Sequence, residues 1–302
     1  MNNLITDIKA LQEETLLNLQ SSKAINTVRA YKSDFNDFGL FCAQNGFKSL
    51  PSEPKIVSLY LTHLSTREVK MSTLKRRLVS IGVIHKLKGH YLDTKHPIII
   101  ENLHGIKRTL GSRQIAKKPL LINDLKLIIK AIDKEKIRDK ALILIGFAGG
   151  FRRSELVSIY YDDIEFVKEG VKILIKRSKT DQSGEGSVKA IPYFDNQEFC
   201  PVKALKHYID EKLINKSKGK IFDISDKSVA LIIKKYAEKA GLDSSKYAGH
   251  SLRSGFATTA AEFGAEERNI MAMTGHKTTQ MVRRYIHEAN LFKNNALNKI
   301  KI

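Results

Sequence analysis

Apolar residues in the first hundred positions recur every three or four residues, the repeat of a helix that buries one face. Leu4, Ile8, Leu11, Leu16 and Leu17 mark a first such stretch. A second runs from Asn26 to Gln44, with Val28, Tyr31, Phe35, Phe38 and Phe41 or Cys42 on one side. Asn26 or Thr27 would cap its start and Asn45-Gly46 its end. After Pro51 and Pro54, Ile56, Leu59, Tyr60 and Leu64 predict a third helix, with Glu53 at its start. Ser72 opens a fourth, whose Leu74, Leu78, Ile81, Ile84 and Leu87 face inward while Lys75, Arg76 and Arg77 take the other face. A shorter fifth spans Ile98 to Leu110 and stops at Gly111-Ser112.

The texture then changes. Gly111 to Pro119, GSRQIAKKP, is polar, basic and ended by proline, the composition of an interdomain linker. Beyond it, Ile122, Leu125, Ile128 and Ile129 predict one helix. Arg138 to Ala148 predicts a buried one ended by Gly149-Gly150, and Arg152 to Ile159 another. Two alternating β-branched runs, Val171 to Lys176 and Val188 to Tyr193, flank the turn-rich Ser178 to Ser187 and predict a hairpin. A hairpin alone is not stable in water, so helices and a third strand near Ile159 to Phe166 are expected to support it. From Pro201 onward the pattern is helical, and Leu291, Phe292, Ala296, Leu297 and Ile300 predict a terminal helix over 289–302. The expected fold is mainly α: an N-terminal helical domain over 1–110, a linker over 111–119, and over 120–302 a mostly helical domain with a small antiparallel β-sheet.

At 302 residues the chain has about twice the length of one ordinary domain, and its 42% hydrophobic content can fill two cores. No apolar run nears the roughly 18 residues of a membrane span, and the opening MNNLITDIKALQEET lacks the regions of a secretory signal. Two cysteines, Cys42 and Cys200, are too few for a disulfide framework or a zinc cage. A soluble, cytoplasmic protein is expected. Charge changes the picture further: 52 basic residues oppose 32 acidic ones, a net +20. Residues 1–110 hold 16 basic against 9 acidic and the remainder 36 against 23, so both halves share the excess. Two basic lobes fit a polyanion, nucleic acid foremost; a merely solubilising surface has the same balance.

Walker, GxGxxG, HExxH and paired CxxC patterns are absent from the sequence, which leaves nucleotide and structural-zinc readings without support. What remains is a scatter of cations and imidazoles. In Gly150-Phe151-Arg152-Arg153-Ser154-Glu155-Leu156, Glu155 stands three residues after Arg152, on the same helix face. It could hold the guanidinium for a ligand, or form an ordinary surface ion pair. In Gly249-His250-Ser251-Leu252-Arg253, a helix that Ser251 would cap brings His250 and Arg253 to an end that favours anions; His250 could equally just hydrogen-bond there. Thr274-Gly275-His276 precedes Tyr285 by nine residues from the histidine, in a helix starting near Thr278. Tyr285 by itself reads as a core residue, and Lys179 in Arg177-Ser178-Lys179-Thr180 as an exposed lysine.

Taken together and in this order, Arg152, Lys179, His250, Arg253, His276 and Tyr285 resemble the six catalytic positions of the tyrosine recombinase (phage integrase) family. GGFRRSEL is similar to its first arginine box, GHSLR to its His-x-x-Arg, and TGHKTTQMVRRYI to its last box, with a lysine in a hairpin turn between them. The resemblance covers the whole chain and implies a SAM-like core-binding domain joined to a catalytic domain in a C-shaped clamp on DNA. It implies a site-specific recombinase that cuts and rejoins DNA through a 3′-phosphotyrosyl link, without metal, ATP or other cofactor. Arg152 and Arg253 would hold the phosphate, His276 would donate to it, and Glu155 would support Arg152. Tyr285 would attack, helped to ionise by its cationic surroundings, with His250 as proton acceptor and Lys179 as general acid. The partner would be double-stranded DNA with an inverted-repeat core site, bound by a homotetramer that exchanges C-terminal helices. Thr27, Arg29, Lys75, Arg76 and Arg77 would face the major groove, and Lys117 and Lys118 the phosphates. The absence of a further N-terminal arm-binding domain would make it a recombinase needing only its core site. A type IB topoisomerase and a catalytically silent DNA-binding protein are the competing readings. Two features depart from the family: Arg152-Arg153 doubles the first arginine, with only Arg152 having an acid at i+3, and Thr274 replaces the more usual Leu, a change expected to bear on packing.

Overall fold

The computed structural model describes residues 11, 14, 24–111, 117–176, 181, 185–212, 218–293 and 296–300. The chain divides into two compact units, Met1–Ile115 and Ala116–Ile302.

In the first unit, helices α1 (Ile25–Gln44), α2 (Pro54–Ser65), α3 (Met71–Leu87) and α4 (Pro97–Leu110) enclose one core. The residues expected to form an earlier helix lie outside the described ones, apart from Leu11. Helix α1 begins one residue before Asn26; Ala24 holds the cap position and makes no side-chain cap bond. Its buried face carries Phe38 and Cys42 and also Asp34. That carboxylate accepts from Arg76 (2.6 Å) and from the Ser80 hydroxyl (2.7 Å) of α3. Asp37 accepts from the Tyr60 hydroxyl at 2.5 Å and pairs with Arg77, whose guanidinium also reaches the Tyr60 oxygen and lies over its ring.

Three placements differ from the periodicity. Arg77 is not on a solvated face: its side chain is 18% exposed and spent on Asp37 and Tyr60, with its Nε 3.9 Å from the buried Asp34 carboxylate. Leu59 and Leu87 point outward, and Val57 and Leu61 fill the core of α2 instead. Lys75 and Arg29 are exposed, Thr27 is half-buried, and Arg76 is half-exposed although paired with Asp34.

The second unit holds helices α5 (Ile122–Lys130), α6 (Ile137–Ala148), α7 (Arg153–Leu156), α8 (Pro201–Lys212), α9 (Asp226–Lys239), α10 (Ser251–Glu262), α11 (Glu267–Thr274) and α12 (Thr279–Ala289). Its strands β1 (Ile164–Val167), β2 (Gly170–Ile175) and β3 (Ser187–Pro192) form an antiparallel sheet in the order β1-β2-β3. The pairing sets Val171 opposite Ile191 and Ile173 opposite Lys189, and Val171, Ile173, Ile175 and Ile191 turn into the core. Helix α6 is buried from Ala141 to Ala148 and packs against α8 and α10, so every side of it is apolar. The helix expected over Arg152 to Ile159 is only the single turn α7. Past Val157 the backbone bonds go elsewhere: Ile221 donates to the Ile159 carbonyl at 2.9 Å, and Tyr161 to that of Gly219 at 2.9 Å.

No terminal helix over 289–302 is present among the described residues: α12 ends at Ala289 and a short 3-10 turn spans Ala296–Lys299. The Asn298 side chain donates to the carbonyls of Phe292 (2.7 Å) and Lys293 (3.1 Å), bonding that competes with a helix there. Leu291, Leu297 and Ile300 stay exposed, and Phe292 is 85% exposed.

Helix α10 can sit where it does because of Gly255. A Cβ there would lie 2.0 Å from the Leu120 carbonyl oxygen, and the Leu120 amide donates to the Ser251 carbonyl at 2.9 Å. Gly255→Ala is therefore expected to cost about 2–3 kcal/mol in urea unfolding; a loss under about 0.5 kcal/mol would show that the contact yields freely.

Candidate active site

Arg152 stands at the N-cap position of α7, after a turn that only glycine makes easily, with Gly150 at φ 55°. Glu155 closes the turn twice: one carboxylate oxygen accepts from the Arg152 amide at 2.9 Å, the other from its guanidinium at 2.5 Å. The other guanidinium nitrogen reaches the Gly275 carbonyl at 3.4 Å. Arg153 points elsewhere and pairs with Asp226 at 3.1 Å, so of the two adjacent arginines Arg152 faces the cluster.

His250 occupies the N-cap position of α10 and Ser251 its first turn, not the cap itself; the Ser251 hydroxyl accepts from the Ala248 amide at 3.0 Å. Arg253, one turn in, is only 1% exposed. One of its terminal nitrogens donates to the Gly150 carbonyl at 2.9 Å, while the other, Nη2, is buried with no hydrogen-bond partner. His250 Nε2 lies 3.3 Å from the Tyr285 hydroxyl. The His276 ring is 6.1 Å from that of Tyr285.

Burial, then the Arg253 and Arg152 charges, hold both His250 and His276 below the ordinary histidine value, His276 at about 4. Burial and Arg152 bring Arg253 down to about 10. Cationic surroundings do not leave Tyr285 easier to ionise here: burial raises its pKa, and Arg253 and Arg284 offset only part of that. Five of the six positions singled out in the sequence thus converge: Arg152, His250, Arg253, His276 and Tyr285. Lys179 lies outside the described residues.

Two neighbours have roles that the sequence reading missed. Lys189, on β3, is 5% exposed; its ammonium donates to the carbonyls of Gly149 (2.7 Å) and Met273 (2.6 Å) and lies 4.4 Å from the Phe151 ring centre. It ties the chain ahead of Arg152 to the chain ahead of His276. The signal was present: in an alternating strand, Lys189 shares the face of Ile191 and so points inward. Thr274 is the second. Its hydroxyl meets His276 Nδ1 at 2.7 Å, so its replacement of leucine touches the site's chemistry as well as its packing.

Lys117 and Lys118 are less free than linker residues. Lys117 donates to the Ser245 carbonyl at 2.6 Å, and Lys118 pairs with Asp124 at 2.8 Å beside Tyr247. Both line a cleft of about 480 Å³ next to Tyr285, with His250, Ser251, Arg284 and Glu288. The cluster itself, with one buried guanidinium, a second that is 18% exposed, two imidazoles held below their ordinary pKa and a phenol, is suited to a phosphodiester, whose added charge in a displacement the fixed donors would stabilise.

The phage integrase family model matches residues 118–291. An integrase/recombinase xerD homolog of Selenomonas ruminantium is 42% identical over 93% of this chain and 87% of its own length. A tyrosine recombinase XerC of Syntrophus aciditrophicus is 25% identical over 89% of each chain. Among solved structures, a lambda integrase (75–356) dimer bound to a COC′ core site aligns with a TM-score of 0.62 at 17% identity, over 97% of this chain and 98% of that one. XerH bound to palindromic difH in a post-cleavage complex aligns with a TM-score of 0.63 at 16% identity, over 82% and 72%. The fold is shared with both. The chain belongs to the phage integrase family, the tyrosine recombinases.

Lys189 supplies a test of the cluster's electrostatics. Burial, then the Arg253 and Arg152 charges, bring it from the usual 10.5 to about 7 against the pull of Glu155. Between those values the unfolded chain holds a proton that the folded chain has released, so this group's contribution to stability rises with pH. The wild-type chain is expected to gain unfolding free energy relative to Lys189→Met from about pH 7 to about pH 9.5; parallel pH profiles would show an ordinary lysine.

Proposed function

We propose that this chain is a site-specific recombinase that cuts and rejoins DNA strands through a covalent bond to Tyr285. The observation that carries the reading is the Arg253 side chain, buried with a free N–H donor in a cluster of cations around a phenol. A buried donor without a partner is costly, and a phosphate oxygen would satisfy it. Arg152 and Arg253 would bind the non-bridging oxygens, with Glu155 holding Arg152 in place, and His276 would donate to the same phosphate.

The Tyr285 oxygen attacks phosphorus and its proton passes to His250 Nε2. The bond from phosphorus to the 5′ oxygen breaks, and Lys179 protonates that oxygen as it leaves. The 3′-phosphotyrosyl bond keeps the free energy of the phosphodiester, and a 5′ hydroxyl of the partner duplex attacks it to rejoin the strand. All four proton and bond changes are reversed in the second step, so the reaction consumes nothing.

Residues 1–110 would form the core-binding domain, residues 120–302 the catalytic one, with 111–119 as linker. Thr27, Arg29, Lys75 and Arg76 would meet DNA from the first unit, Arg77 serving Asp37 and Tyr60 instead. Lys117 and Lys118 would meet phosphates beside Tyr285. The DNA would carry an inverted-repeat core site and be held by four copies of the chain. Leu291, Phe292, Leu297 and Ile300, left exposed, would dock on a neighbouring copy.

Incubation in EDTA with genomic DNA of the source organism, followed by denaturation and sequencing of protein-linked 3′ ends, tests this reading. Adducts at one inverted-repeat sequence are expected, absent in Tyr285→Phe and reduced roughly 100- to 1000-fold in Arg253→Ala. Scattered Tyr285-dependent adducts would instead indicate a topoisomerase, and full activity in Tyr285→Phe would overturn the nucleophile. Removal of residues 290–302 is expected to leave binding to a single half-site and abolish assembly on two sites; unchanged assembly in gel-shift experiments would remove the docking role.

A further inference from the structure

Thr274 closes helix α11 and is fully buried. Gly275 follows in the left-handed region at φ 62°, which folds the chain back so that the His276 ring returns over the threonine. The threonine hydroxyl has one proton and two close neighbours. It donates to the Ile270 carbonyl one helical turn earlier at 2.6 Å, and it lies 2.7 Å from His276 Nδ1. With the proton given to the carbonyl, the oxygen meets Nδ1 as an acceptor, and Nδ1 must carry a hydrogen. A neutral imidazole has one N–H, and the bond made by one ring nitrogen sets the state of the other.

We propose that Thr274 is a positioning residue that fixes His276 as the Nδ1–H tautomer, so that Nε2 donates to a phosphate oxygen only after taking up a proton. The proposal rests on the phosphodiester reading of the site. Leucine at this position would leave Nδ1 without that partner and His276 free to donate from Nε2 while neutral. The groups around His276 are Arg152, ahead of α7, Arg253 and His250 on α10, Lys189 on β3 and Tyr285 on α12. With burial, the cations among them keep the imidazole neutral in the free protein, at a pKa of about 4. A bound phosphate brings negative charge against both guanidiniums and removes the main electrostatic opposition to an imidazolium. Both N–H groups then have acceptors, Thr274 Oγ1 at one end and the phosphate at the other. Engagement of the substrate is thereby coupled to uptake of one proton from solvent.

The test is nitrogen NMR of the full chain labelled with 15N-histidine, without DNA, with His276→Gln to assign the signals. Near neutral pH the expected spectrum shows a protonated Nδ1 and a bare Nε2 on His276; a protonated Nε2 with a bare Nδ1 would overturn the proposal with no variant needed. Thr274→Val, close to isosteric, is expected to shift the ring toward the Nε2–H form, and Thr274→Ser to keep the wild-type pattern. An unchanged tautomer in a folded Thr274→Val chain would remove the threonine as its cause. Inorganic phosphate is expected to move His276 protonation to a pH about one unit higher or more in the wild-type chain; no movement would overturn the coupled proton uptake. These readouts need no strand cleavage, so absence of Tyr285 adducts would count against the recombinase reading and leave the tautomer result to stand or fall separately.

Discussion

The second unit is organised around one guanidinium that is inside the protein and only partly satisfied. Arg253 gives one bond to the Gly150 carbonyl and keeps a second donor buried without a partner. Burying such a group is expensive, and the surroundings concentrate the material that sustains it. The apolar helix α6 ends at the glycines that supply its acceptor, α10 comes close to Leu120 through Gly255, and the Lys189 ammonium fastens the turns on either side. The site is a place where the fold accepts an unmet demand for negative charge.

That demand also explains the protonation states. Glu155 is the counter-charge of Arg152, while burial first, and the neighbouring cations after it, lower the pKa of Lys189, His250, His276 and Arg253. Tyr285 feels the same cations, yet burial outweighs them and the phenol is harder to ionise than a free one. Tyr285 so held lies 3.3 Å from His250, whose own pKa is lowered, and a bound anion would add negative charge among these cations.

In the first unit the same chemistry runs in the other direction. Asp34 is buried in a helical bundle and Asp37 stands half-exposed at its edge, and the arginines of α3 turn toward them. Arg77 gives up its solvent contact to complete a triad with Asp37 and Tyr60, whereas Lys75 stays exposed. Basic residues adjacent in sequence therefore separate into structural and available ones. The net charge of the unit does not reveal which is which.

Helices, strands and their order were legible because their repeats are local: Phe38 and Cys42, or Val171 and Ile173, announce a buried face within a few residues of chain. Arg152, His250, Arg253, His276 and Tyr285 were legible as a set because their short motifs, in that order and spacing, resemble those of a known family. The spacing of Arg152 and Glu155 was enough to choose between two adjacent arginines. Tertiary structure alone decided the rest. Lys189 needed carbonyls about 40 and 84 residues away to become a tie, and Arg77 needed the carboxylate of another helix to turn inward. Among the described residues near the C-terminus, the Asn298 side chain met the carbonyls of Phe292 and Lys293 where a helix was expected. Thr274 is two residues from His276, yet its meaning waited on the left-handed turn at Gly275 that brings hydroxyl and ring together. Periodicity records which residues a helix or strand will bury; it does not record which polar atoms will meet, because that follows from how distant segments pack and where each remaining donor finds an acceptor.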